Sequence, residues 1–280
     1  MVEVILEYPI RGTRYASRVA VSEHVLHRVS PFQTIDVYDT EAFGKMLFLD
    51  NHVQLAELDE AAYHEALVHI PLLSLNNPKR ALVVGGGDGG VLREICRHSS
   101  IAHIDIVEID EQVILASKEA MPALSAGKFD DPRVHLHVAD AFGFLKEVAD
   151  PYDLIVMDVT DCYEGEDGEL SERLFTEEFH RDCLAALAEG GMLVSQADNH
   201  VFCPFSLAEV LRTFGELFPK TGWYQALVPS FGGYSAYAWA SKGAEVKTAW
   251  PGAPFAMKYL NAITWALAFQ ALPFALPTTQ

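Results

Sequence analysis

The sequence is poor in cysteine and in positive charge, and it has no long hydrophobic run. Its four cysteines, Cys96, Cys162, Cys183 and Cys203, stand apart without a C-x-x-C pair. Neither a zinc cluster nor a disulfide framework is therefore expected, and a reducing cytoplasm fits. Twenty Lys and Arg face 39 Asp and Glu, a formal charge of −19. That balance argues against nucleic acid and anionic membrane as partners and favours cations, although excess acid also serves plain solubility. No apolar stretch approaches the roughly 20 residues of a membrane span. The N-terminus shows no basic segment followed by a greasy one, so no signal peptide is expected. Repeats and low-complexity tracts are absent too.

What is present reads as two unequal parts, a β-rich domain over residues 1–58 and a larger α/β domain over 59–280. In the first, VEVILEY, RYASRVAVS, QTIDVYD and KMLFLD gather β-formers between turn signals such as Asp50-Asn51. In the second, a helical segment near Asp59–Leu73 precedes repeated alternation of strands and helices. Strands are expected at Ala81–Val84, Ile104–Ile109, Val134–Val138, Leu154–Asp158, Met192–Gln196, Trp223–Val228 and Ala236–Ala240. Helices are expected near Gly90–His98, Glu111–Ala120, Ala141–Val148, Thr176–Ala188 and Leu207–Phe218, the last with Ser206 and Glu209 at capping-box spacing. The alternation predicts a doubly wound, mostly parallel seven-stranded sheet with a ligand crevice at the strands' carboxyl ends.

The chemistry-bearing residues fall at those strand ends. ALVVGGGDGGVLREI places Gly85, Gly87 and Gly90 in G-x-G-x-x-G register between an apolar strand and a helix, where a missing Cβ lets the backbone approach a nucleotide-like ligand. Glu108 ends the next strand, suited to accept both ribose hydroxyls, and Asp140 ends the one after, suited to an adenine amine. A pyrophosphate would be repelled by Asp88 inside the glycine loop, and so would the carboxylate of AdoMet. A decarboxylated AdoMet, carrying an ammonium and a sulfonium, would be attracted. The plainer alternative is that Asp88 caps the following helix. Asp158 and Asp161 leave the fourth strand in YDLIVMDVTD. A carboxylate there suits the removal of a proton from an amine whose reference pKa is ~10.4, while a sulfonium leaves without acid assistance.

Across FQTIDVYDTEAFGKMLFLDNHVQLAELDEAAYHEALVHIPLL, VVGGGDGG, VEID, VADAF, YDLIVMDVTD, LVSQ and AWASKG, the chain resembles the spermidine synthase family of polyamine aminopropyltransferases, from about Gln33 to Lys242. The resemblance implies transfer of an aminopropyl group from decarboxylated S-adenosylmethionine, as co-substrate and without a further cofactor, to putrescine or a longer polyamine. It implies that Gln33, Asp88, Glu108 and Asp140, with the Gly85 and Gly87 loop, hold the donor. Gln54, Tyr63 and His64 would line the junction of donor and amine pockets, with Tyr63 beside the chemistry. Asp158 would be the proton acceptor and Asp161 an amine anchor. A homodimer or homotetramer built through the N-terminal sheet is implied as well.

Three departures stand out. Cys162 replaces a proline the family commonly has, and the loop that follows is longer, with six acids and no base between residues 161 and 172. In the amine pocket, Phe231 stands where a tyrosine is usual and Tyr234 where a tryptophan is expected. These changes favour an acceptor other than putrescine alone. An AdoMet-dependent small-molecule methyltransferase, opposed by Asp88 with the Asp158–Asp161 pair, and a non-catalytic polyamine- or nucleoside-binding protein, opposed by the retained Asp158 and Tyr63, are the alternatives. A zinc reading of Tyr63-His64-Glu65 with His69 fails because H-E-x-x-H needs a histidine where Val68 stands. No metal ligands are expected, His69 is placed beside Pro71 on an amphipathic helix, and Tyr259 and Trp265 are read as core.

Overall fold

The computed structural model describes residues 4–10, 15–160, 173–270 and 272. Asp161, Cys162 and the remainder of the acidic 161–172 segment lie outside the described residues.

Five strands, β1 (Val4–Pro9), β2 (Ala16–Val29), β3 (Thr34–Thr40), β4 (Gly44–Leu49) and β5 (His52–Ala56), pair in sequential order as an antiparallel meander. The β5 strand was not anticipated as an element of its own. Its entry is a two-residue hairpin loop: Leu49 pairs with His52, and Asp50 and Asn51 adopt φ of 47° and 62°. Both central residues of such a loop need positive φ, which Asp and Asn tolerate better than most side chains. One face of this sheet, through Ile35, Val37, Leu47 and Leu55, packs on Val113, Ala116 and Ala120 of a helix in the second part. Its other face gathers Tyr8, Met46 and Phe48.

The second sheet has seven strands, β6 (Arg80–Gly85), β7 (His103–Glu108), β8 (Val134–Val138), β9 (Tyr152–Asp158), β10 (Leu187–Asn199), β11 (Lys220–Val228) and β12 (Gly233–Ser241), in the order β11-β12-β10-β9-β6-β7-β8. All pairings are parallel except those of β12. Ala81, Leu82, Val83 and Val84 are all essentially inaccessible, as expected of a strand covered on both faces. The chain winds from β6 to β7 on one side and reaches β9 on the other, so the topological switch lies between β6 and β9. There Gly85 pairs with Asp158, which sets the glycine loop beside the acidic strand end.

The helices are α1 (Glu60–Ser74), α2 (Gly90–Cys96), α3 (Glu111–Ala120), α4 (Ala141–Lys146), α5 (Glu177–Ala186), α6 (Pro204–Leu217) and α7 (Ala262–Ala268). Two local expectations are overturned. The α6 helix begins at Pro204, a position where the missing N–H costs nothing, so Ser206 lies inside the first turn and its buried Oγ caps nothing. The α1 helix is not amphipathic: twelve of its residues are buried, because α2, β11 and the C-terminal segment enclose it. His69 is among them, hydrogen-bonded to Glu94 (2.9 Å) and His98 (2.8 Å). Glu65, also buried, accepts the backbone N–H groups of Lys258, Tyr259 and Leu260 at 2.7–2.9 Å, pinning that segment over the helix. Trp265 is fully buried, as expected, and Tyr259 receives the Leu227 N–H on its hydroxyl. No helix among the described residues is long and apolar enough to cross a membrane.

Candidate functional site

The glycine loop closes on the neighbouring strand end. The Gly86 N–H donates to the Asp158 carbonyl (2.9 Å), and a Cβ on Gly85, whose φ is +78°, would stand 2.2 Å from that same oxygen. The Gly87 N–H donates to Glu108 (3.2 Å), whose other oxygen accepts the Asp110 N–H (2.9 Å). Burial pushes the Glu108 carboxyl up to about 7, against the pull of those N–H donors. Gln33, reaching over from the N-terminal sheet, donates to Asp110 (2.9 Å). Asp110, which sequence reasoning passed over, thereby joins Gln33 to Glu108 and caps α3 through the Gln112 N–H. Asp140 caps α4 through the Phe142 N–H (2.9 Å) and is exposed.

Below the loop lies a buried chain of charges. Asp88 accepts the Gly90 N–H (2.7 Å), so the capping alternative is physically present. The same oxygen also faces His64 Nε2 at 3.4 Å. His64, 1% exposed, meets Glu60 through Nδ1 at 2.8 Å, and Glu60 in turn meets Arg93 at 2.7 Å. Burial opposes a charge on His64, yet Asp88 and Glu60 outweigh it and raise the imidazole to about 10. Its two carboxylate neighbours are held low, Glu60 to about 2. The ring lies so close beneath the loop that a Cβ on Gly90 would sit 2.2 Å from it. His64 is thus a buried cation under the loop and does not line the cavity.

Asp158 ends β9 at the mouth of this arrangement. Its Oδ1 accepts the Tyr63 hydroxyl at 2.7 Å, while Oδ2 is buried without a hydrogen-bond partner among the described residues. Burial and the nearby Asp88 charge lift its carboxyl to about 7, partly offset by His64 and the Tyr63 hydrogen bond. Ligand atoms of His64, Asp88 and Asp158 lie within 4.8 Å of one another. Both His64 nitrogens, however, are already directed at carboxylates.

A cavity is lined by Tyr63, which donates to Asp158, and by Val159, the residue after it, together with Ile10, His52, Gln54, Gln196, Asp198, Asn199 and Phe231 among others. Phe231 packs edge-on against Tyr63, with ring centroids 5.7 Å apart. Tyr234 is not among the residues lining it; its ring lies 6.5 Å from that of His200.

Residues 60–249 match the model of the spermine/spermidine synthase domain, and residues 10–57 match that of the spermidine synthase tetramerisation domain. The chain belongs to the spermine/spermidine synthase family. Among its relatives, the polyamine aminopropyltransferase of Moorella thermoacetica is 36% identical over 92% of this chain and 90% of that one. That of Bacillus subtilis is 43% identical over 71% and 70%. Of solved structures, a spermidine synthase in complex with the transition-state analogue AdoDATO superposes with a TM-score of 0.89 at 29% identity, covering 98% of this chain and 93% of the other. The spermidine synthase of Thermotoga maritima gives 0.86 at 28%, covering 98% and 92%.

Family membership leaves the cavity wall to be read from this chain. Asp198 and Asn199 follow Gln196 at the end of β10, and Asp198 has a φ of 63°. Gln196 donates to the Val159 carbonyl (2.9 Å) and accepts the Asp198 N–H (2.9 Å). A non-glycine residue at positive φ beside a strand end is a strained feature of the kind that gathers at sites. The polar run Gln196-Ala197-Asp198-Asn199 after an apolar strand was the available signal in the sequence.

Proposed function

We propose that this chain transfers the aminopropyl group of decarboxylated S-adenosylmethionine to an amine, putrescine or a longer polyamine, releasing 5'-methylthioadenosine. The observation that carries the reading is Asp158: a strand-end carboxyl at the switch point, held near neutrality, with one oxygen fixed by Tyr63 and the other buried and without a partner among the described residues. A base poised near the working pH is what removal of an ammonium proton asks for.

Glu108 is assigned to the ribose, Asp140 to the adenine, and the backbone of Gly85 and Gly87 to close approach, with Gln33 bracing Glu108 through Asp110. Asp88 faces the donor's cationic end. The acceptor enters by the cavity walled by Gln54 and Phe231. Asp158 takes a proton from the acceptor's ammonium; the nitrogen so freed attacks the methylene carbon next to sulfur, a C–N bond forms, and the C–S pair returns to sulfur as a neutral thioether. The sulfonium supplies its own leaving group, so the reading needs no added cofactor, and the enzyme's part is alignment plus one proton transfer. His64 acts from below, balancing the Asp88 charge. We further assign Asp161 to anchoring the amine, Tyr234 to the outer acceptor region, residues 1–58 and 59–280 to an assembly domain and a catalytic domain, and the whole to a cytoplasmic homodimer or homotetramer.

Incubation with decarboxylated donor and a panel of amines, followed by product analysis, tests the reading. Release of methylthioadenosine with a matching aminopropylated amine is expected. Methyl transfer from AdoMet, or ligand binding without turnover, would overturn it.

A further inference from the structure

The N-terminal sheet carries a second group of ligating side chains, far from the glycine loop in its chemistry. His24 and His27 lie three residues apart on β2, a spacing that points side chains to opposite faces of a regular strand. Here the β2–β3 pairing shifts register between His24 and Leu26, so that His24 pairs with Tyr38 and His27 with Asp36. Residues 36 and 38 share a face of β3, and the bulge therefore brings both imidazoles to that face. There His24 Nε2 and His27 Nδ1 each stand 2.8 Å from the same oxygen, Asp36 Oδ1. The His24 ring is held in place by stacking on Tyr38, at 4.3 Å and 19°, and Tyr38 rests edge-on against Phe48 in the buried cluster of the sheet.

We propose that His24, His27 and Asp36 form a binding site for a borderline divalent transition metal such as Zn²⁺. Three ligand atoms from two adjacent strands, two imidazole and one carboxylate, make the donor set such ions prefer, and the remaining position would be filled by water. At a metal–ligand length of ~2.0–2.1 Å, tetrahedral ligand atoms stand about 3.3 Å apart. The two 2.8 Å contacts would open by about 0.5 Å, and the two imidazole nitrogens, within 4.8 Å of one another, would settle at the same separation. Two N–H···O bonds are exchanged for two N–metal bonds, and each neutral imidazole takes the tautomer with its single proton on the ring nitrogen away from the ion, Nδ1 of His24 and Nε2 of His27. The carboxylate offsets part of the ion's charge, and both histidines are exposed, which leaves the ion a path from solvent. The ion would clamp β2 to β3 and take no part in aminopropyl transfer.

Titrating Zn²⁺ into the full-length protein in its solution assembly, followed by calorimetry, tests the site. One ion per chain is expected, with a dissociation constant below about 100 µM. The double variant His24→Gln/His27→Gln, which keeps polar side chains on the sheet, should weaken that binding at least about tenfold, and so should Asp36→Asn. Their metal-free denaturation midpoints should stay at the wild-type value, showing that the sheet is intact. Asp88→Asn should leave the Zn²⁺ isotherm unchanged. Absence of binding in the wild type, or binding that survives His24→Gln/His27→Gln, would overturn the proposal; survival there with loss in Asp88→Asn would place the ion at the glycine loop instead.

Discussion

Replacing Tyr63 with Phe removes a hydroxyl and little else. The Tyr63 ring is packed among Phe231, His64 and Tyr237 and would stay. What is lost is the 2.7 Å hydrogen bond to Asp158 Oδ1, which favours the ionised carboxylate. A hydrogen bond to a charged group is worth roughly 1.5–3 kcal/mol, or about 1–2 pKa units at 1.36 kcal/mol each. The Asp158 carboxyl, already at about 7, should therefore rise to about 8–9. On the proposed role only its deprotonated form would accept the amine's proton, so activity should climb with pH through the folded pKa. At pH 7 the ionised fraction falls from about one half to between ~9% and ~1%, a loss of about 5- to 50-fold that shrinks steadily as pH rises. The assay is a kcat/KM profile for the donor from pH 6 to 9.5 for both proteins, which reports the donor-free enzyme, at one fixed concentration of the same amine, whose ammonium titrates alike in each. An acid limb that stays in place, or moves to lower pH, would refute the role given to the Tyr63–Asp158 contact.

Asp158→Asn should bind the donor almost as the wild type does and lose roughly 10²–10⁴-fold in kcat; an unchanged kcat would remove Asp158 from the chemistry. The same substitution should raise stability. A carboxyl lifted on folding gives stability that is complete below its unfolded pKa and lost as pH rises through the folded value of about 7. Denaturation at pH 8 should thus show Asp158→Asn more stable by on the order of 1–4 kcal/mol, with no gain at pH 4. Gly90→Ala should destabilise the protein and suppress turnover, because the added Cβ meets the His64 ring at 2.2 Å. Combining it with His64→Ala should recover part of the stability measured by thermal melts, and failure to do so would mean that the clash is not the cause. Asp88→Asn should narrow the preference for decarboxylated AdoMet over AdoMet in calorimetry; equal affinities in the wild type would defeat the electrostatic account of the loop.

The parallel sheet and its strand-end acids were legible because both rest on local pattern: continuous apolar strands, glycines at the turn, and an acid where each strand stops. Gly85, Glu108, Asp140 and Asp158 needed no tertiary information. The environment of those residues did. The i, i+4 spacing offers Glu60 to His64, but nothing local tells that Gly90 from another helix would close the ring in and that Asp88 would face its other nitrogen. The burial of α1 likewise depends on Glu65 capturing three backbone amides from residues 258–260. In the N-terminal sheet, β5 was hidden because its HVQLA is short and leads straight into the next helix. The capping-box spacing at Ser206 was outcompeted by Pro204, which starts the helix earlier. The cavity wall from Ile10, His52 and Asn199 brings three distant stretches together, a juxtaposition that strand register sets and sequence spacing does not.

The charges below the loop imply an order of events. Asp158 is kept near 7 by burial and by Asp88, whose negative charge is itself secured by His64. A donor bringing a sulfonium and an ammonium beside Asp88 and Asp158 would add positive charge where two carboxyls face one another. The ionised form of Asp158 would then be favoured, and the base would become competent as its electrophile arrives. At pH 7 a fall of one pKa unit releases about 0.4 proton per site, since the protonated fraction drops from about one half to ~9%. The release is measurable by calorimetry of donor binding in buffers of different ionisation heat, with no amine present. Methylthioadenosine, lacking both charges, should release almost none, and Asp158→Asn should abolish the release with the donor. Equal proton release for the charged donor and the neutral product would show that the titration answers to desolvation by any ligand, and the coupling between donor charge and base would have to be given up.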